Sequence, residues 1–94
     1  MPRAVFEDII IAEFDDTILL EGNHYFPPES VNMQYLHPSK TQSVANWIGN
    51  AVYYDVVVGK KRIQDAAWSY PEPSKAARTI KDHVAFQGDV TIIP

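Results

Sequence analysis

Ninety-four residues make one domain, 1–94, with a small core and little room for a deep internal cavity. Eight basic residues face twelve acidic ones, and Lys60, Lys61 and Arg62 form the one basic cluster, so the positive footprint that phosphates need is missing and nucleic-acid binding is not expected. The absence of cysteine excludes disulfides, thiol nucleophiles and cysteine-ligated zinc, and no apolar run reaches the ~18 residues of a membrane span, so a cytoplasmic location away from membranes is the expectation.

Strand signals dominate the chain. Val5 to Phe14, with the β-branched run Ile9-Ile10-Ile11, reads as a strand. Asp15-Asp16 is a turn signal, and Thr17 to Glu21 a second strand, so 9–21 reads as a hairpin that Gly22-Asn23 ends. Phe26 and Pro27 each precede a proline and are pushed toward extended backbone. Pro28 is placed to open a short helical turn. Met33, Tyr35 and Leu36 lead to an expected turn at His37-Pro38-Ser39.

Ala51 to Val58 is the clearest strand. Its even positions, Val52, Tyr54, Val56 and Val58, are apolar and should face the core, which turns Tyr53 and Asp55 toward solvent or a cleft. Gly59-Lys60 turns the chain, and Arg62 to Trp68 returns antiparallel. Asp65 is within reach of Lys61 or Arg62 for an ion pair. Ser74 reads as the N-cap of an α-helix over 75–81, with Ala76, Ala77 and Ile80 on one face. Val84 to Phe86 and Val90 to Ile93 close the chain around Gln87-Gly88-Asp89. The expectation is a mainly β (α+β) fold of about seven short strands with one short α-helix near the C-terminus.

Four segments occur in order: Glu21 to Pro28, Trp47 to Tyr54, Asp65 to Pro73 and Ile80 to Phe86. Together, and above all through Ala66-Ala67-Trp68-x-Tyr70-Pro71-Glu72-Pro73, the chain resembles the domain of unknown function 427 family. The resemblance implies compact, β-tent-like antiparallel sheets and no particular activity or cofactor. Similar sequences usually read Cys-Pro-Trp-Lys-Gly where this chain has Ala45-Asn46-Trp47-Ile48-Gly49, so a thiol and an amine are both gone. They also tend to carry Gly where this chain has Asp82, a residue that tolerates left-handed backbone.

Candidate site residues are few. His24 could act as a general acid or base oriented by Glu21, or hydrogen-bond the backbone of its proline-rich turn. His37 reads as exposed, and His83 as a complement to the negative end of the helix before it. Three histidines at these spacings match no metal motif. Tyr25, Trp47, Tyr53, Trp68 and Tyr70 could form an aromatic wall for a flat or cationic ligand, or fill a small β core. Tyr54 belongs to the core face. Trp68 reads as core or core edge, its N–H needing a partner. Glu72, held rigid between Pro71 and Pro73, could orient a ligand or place charge near the next segment. No phosphate loop or serine-nucleophile pattern is present.

Two functional readings follow. One is a domain that binds, or binds and transforms, a small organic molecule in an aromatic-lined surface cleft without a cofactor. The other is a noncatalytic module for protein interaction or homodimerisation, whose Thr91-Ile92-Ile93 end could pair at a sheet edge.

Overall fold

A computed structural model describes all 94 residues as nine strands and three short 3-10 segments. β1 (Arg3–Phe6) and β2 (Ile9–Glu13) form a hairpin around Glu7-Asp8. Both turn residues have positive φ, 51° and 62°, the conformation of a two-residue turn whose twist matches its strands. The single strand expected over 5–14 is therefore two. The break is hard to read because glutamate seldom adopts that backbone.

The hairpin expected over 9–21 does not form. Asp15-Asp16 turns the chain, but β3 (Ile18–Leu20) pairs with β4 (Asn23–Tyr25) around Glu21-Gly22. Pro28–Ser30 is one 3-10 turn, opened by its proline as anticipated, and Met33–Tyr35 is another. β5 (Leu36–Ala45) absorbs His37-Pro38-Ser39 into strand, not turn. Proline is tolerated there because β5 is an edge strand.

β6 (Gly49–Val58), β7 (Lys61–Ser69) and β8 (Val84–Phe86) complete an antiparallel sheet in the order β5-β6-β7-β8. β9 (Thr91–Ile93) returns to β1 and gives a three-stranded sheet, β2-β1-β9. The α-helix expected over 75–81 is instead a 3-10 segment, Lys75–Ile80. Six residues are too few for α-helical cooperativity. Its buried residues, Ala77 and Ile80, are one 3-10 repeat apart, and Ala76 is exposed. Ser74 does not cap it; its Oγ donates to the Trp47 carbonyl at 2.7 Å.

The four-stranded sheet is covered on both faces. On one, Val56, Ala67, Val84 and Phe86 pack with Phe6, Ile11 and Ala12 of the three-stranded sheet. On the other, Ala51 and Ala85 pack with Tyr25 of the β3-β4 hairpin, Ile48, and Ala77 and Ile80 of the 3-10 segment. Strand alternation does the sorting: Tyr54, Val56 and Val58 belong to the first core, Ala51 and Tyr53 to the second. The even face of β6 is thus inward as expected at Tyr54, Val56 and Val58, whereas Val52 lies in neither core and lines a surface groove. At Tyr53 the odd face meets a second core instead of open solvent.

Both neighbours of β6 bulge near its middle. From Pro38 to Gln42 β5 advances four residues while β6 advances two, and β7 does the same from Ile63 to Ala67. Asp65, at φ 54°, lies in the second bulge. Its carboxylate accepts from Ser39 Oγ at 2.5 Å and Thr41 Oγ1 at 2.6 Å, joining the two bulges across β6. Its N–H donates to Asp55 Oδ1 at 2.9 Å, and Arg62 donates to Asp55 Oδ2 at 2.6 Å. The ion pair expected between Asp65 and Lys61 or Arg62 is therefore replaced: Arg62 takes Asp55, because the bulge turns Asp65 toward β5.

The Asp65 N–H, and after it the Arg62 guanidinium, hold the Asp55 carboxyl below its ordinary 3.8. The unfolded chain then binds the proton more readily, so this stabilisation is present above pH 3.8 and is lost as pH falls through the lowered folded value. Asp55→Asn should flatten the acid limb of stability against pH, measured by urea unfolding at a series of pH values. In the same assay Phe26→Ala, which empties a fully buried site in the first core, should cost about 3–5 kcal/mol. Val44→Ala, at a residue 78% exposed, should stay within about 0.5 kcal/mol.

Candidate functional site

Four of the aromatic candidates converge in the second core. Tyr53 and Trp68 are register partners on β6 and β7, so their rings share a face. Their centroids are 6.4 Å apart at 35°. Trp68 meets Tyr25 edge-on at 6.3 Å and 88°, and Tyr25 meets Tyr70 at 6.4 Å and 38°. These separations lie within the range of favourable aromatic pairs. Trp68 Nε1 donates to the Tyr25 hydroxyl at 3.2 Å, which supplies the partner its indole requires. Tyr53 and Ser43 hydroxyls are 3.0 Å apart.

The array runs from inside to outside. Tyr25 and Tyr70 are 3% and 5% exposed, while Tyr53 and Trp68 are half-buried. Burial raises both inner phenols, and for Tyr70 the adjacent Tyr25 adds to it, pushing Tyr70 up to about 12. Glu21 and Tyr53 both bear electrostatically on Tyr25 and Tyr70. Glu21 Oε2 also receives Trp47 Nε1 at 3.4 Å, and Trp47 is 45% exposed.

The turn that carries Trp47 is clasped to the proline corner. The Ser74 N–H donates to the Ile48 carbonyl at 2.7 Å. Gly49 has φ 138°, and a Cβ there would lie 3.2 Å from the Glu72 carbonyl oxygen, so only glycine lets the corner approach this closely.

The other candidates lie apart. His24 neighbours Tyr25 on β4 and so faces the opposite side of the hairpin. Its Nδ1 is 2.7 Å from Thr17 Oγ1; Glu21 is turned to Trp47 instead. His37 is exposed on β5, and His83 Nδ1 is 2.9 Å from the Lys81 carbonyl. No group of three or more His, Asp or Glu side chains is placed to hold a metal ion. Glu72 is exposed and lines a groove of about 220 Å³ with Gln42, Asn50, Val52 and Pro71. A shallower depression of about 500 Å³ lies at the β1-β2 turn, beside Asp89 and Thr91. Neither is lined by the aromatic array.

Glu21, expected beside His24, meets Trp47 instead, and Ser43 is the member that the sequence reading did not place beside an aromatic. Ser43 becomes visible only once 39–45 is known to be strand, and Glu21 only once the Glu21-Gly22 turn is set against Trp47. No helix is long and apolar enough to cross a membrane. A family model described as a domain of unknown function (DUF427) matches residues 3–93. No curated protein matches the chain.

Tyr70→Phe should delete a phenolate absorbance step centred at about 12 in an alkaline titration. Because unfolding lowers this phenol toward 10.0, the unfolded chain binds fewer protons and stability falls as pH rises from 10.0 toward about 12. Tyr70→Phe should lessen that fall, measured by urea unfolding.

Proposed function

This chain belongs to the DUF427 family, and we propose that it binds a flat small organic molecule on the rim of the aromatic array, against Trp47, Tyr53 and Glu21. The observation that carries the reading is the ring-to-ring series Tyr53–Trp68–Tyr25–Tyr70, beside which the exposed Trp47 indole donates to Glu21. Packed rings behind the rim hold Tyr53 in place, so little side-chain freedom is lost when a ligand stacks on it. Tyr53 and Ser43 hydroxyls and the Glu21 carboxylate would supply hydrogen bonds at the ligand's edge.

Binding is favoured over catalysis. His24 is on the far side of the β3-β4 hairpin and engaged with Thr17. Ile48, where similar sequences carry lysine, is 1% exposed in the second core, so no amine is offered beneath the rim. Antiparallel sheets whose only helical elements are 3-10 segments support the β-tent type for the fold. A noncatalytic interaction module is the second reading. Leu19, exposed on the outer face of the β3-β4 hairpin, and Val44 on the β5 edge favour it.

The test is fluorescence titration of Trp68→Phe, in which Trp47 is the sole tryptophan, against a panel of planar heteroaromatic compounds. Saturable quenching by some of them is expected, with affinity falling about tenfold in Tyr53→Ala. Absence of any saturable response, or the same affinity in Tyr53→Ala, would refute the reading. Concentration-dependent mass in sedimentation with no ligand response would favour the interaction module.

A further inference from the structure

We propose that the groove beneath Glu72, on the sheet face opposite the aromatic rim, binds a primary alkylammonium group. Gln42 and Val52 are register partners, and Asn50 precedes Val52 by two, so all three share one face. Ser43, Ala51 and Tyr53 point the other way. Further along the strands this same face is covered by the first core. At the groove Gln42, Asn50 and Glu72 are left exposed, over a floor of Val52 and a wall of Pro71.

The lining selects for a cation with N–H donors. It presents one carboxylate and two carboxamides and no basic side chain. The ion pairs of the molecule join Arg3 to Glu13 and Arg62 to Asp55, which leaves Glu72 without a cation. A primary ammonium carries three donors, and the Glu72 carboxylate with the two carboxamide oxygens makes three acceptor groups. Its alkyl chain meets Val52 and Pro71. The net charge of −4 favours a cation over an anion.

The site is built, not merely exposed. Glu72 lies between two prolines, which restrict its backbone. The Ser74–Ile48 hydrogen bond and the close approach at Gly49 fix that corner to the β5-β6 hairpin. The backbone that carries its carboxylate is thus set before a ligand arrives. The volume, about 220 Å³, falls below the roughly 300–1,000 Å³ of drug-sized sites, so the ligand is a small amine. This proposal stands independently of the aromatic rim.

The test is titration of the isotope-labelled chain with n-butylammonium, tetramethylammonium and butyrate, followed by NMR. Saturable shifts of the Gln42 and Asn50 side-chain amides and the Val52 backbone amide are expected with n-butylammonium. Glu72→Gln, at an exposed position, should weaken them by about tenfold, while Phe14→Ala, at an exposed residue between β2 and β3, should leave them unchanged. Tetramethylammonium, with no N–H, and butyrate, with the wrong charge, should shift these resonances far less. Equal responses to either control, shifts without saturation, or an unaltered affinity in Glu72→Gln would overturn the proposal.

Discussion

The pair of bulges flanking β6, tied together by Asp65 and Asp55, is the constraint on which the arrangement of the fold depends. A bulge bends its strand and increases local twist. Here two occur near the middle of β6, one on each side, and Asp65 joins them by accepting from Ser39 and Thr41. Asp55 on β6 holds the Asp65 N–H from below. The bent sheet takes the three-stranded sheet on one face and the β3-β4 hairpin on the other, with a small core on each.

The second core then does two jobs. It fills the space under the hairpin, and it carries four aromatic side chains outward to a rim. Polar groups within it are matched to each other: the indole of Trp68 donates to Tyr25, and no buried side-chain nitrogen or oxygen lacks a partner. Burial raises the Tyr25 phenol above its ordinary value and pushes Tyr70 up to about 12. Both are therefore uncharged, packed rings at neutral pH.

Departures from the usual family pattern find physical reasons. Ile48 fills the second core beside the 3-10 segment, an apolar solution where an amine would have to reach past the packed residues to water. Asp82 has φ 60°, the left-handed backbone that glycine adopts freely and aspartate tolerates, and its N–H donates to the Tyr70 carbonyl at 3.1 Å. That bond ties the proline corner to the strand that follows it. The Asp65 to Pro73 run is thus a corner that closes the fold, with the Glu72 carboxylate left exposed on it.

Local chemistry determined much from residue types alone. The apolar period-two pattern of β6, the Gly59-Lys60 turn, the 3-10 turn opened by Pro28 and the mainly β class follow from backbone preference and alternation, which need no distant partner. The convergence of Tyr25, Tyr53, Trp68 and Tyr70 did not follow, because it requires knowing that β4 comes beside β8, which itself pairs with β7. The same holds for His24, whose side of the hairpin is set by the pairing of β3 with β4 and not with β2. Six residues of helical spacing could be α or 3-10 until packing chose the three-residue repeat of Ala77 and Ile80. Sequence settles which face of a strand is apolar; only the assembled sheets decide what covers it, because pairing and burial are long-range contacts between segments that carry no mark of each other.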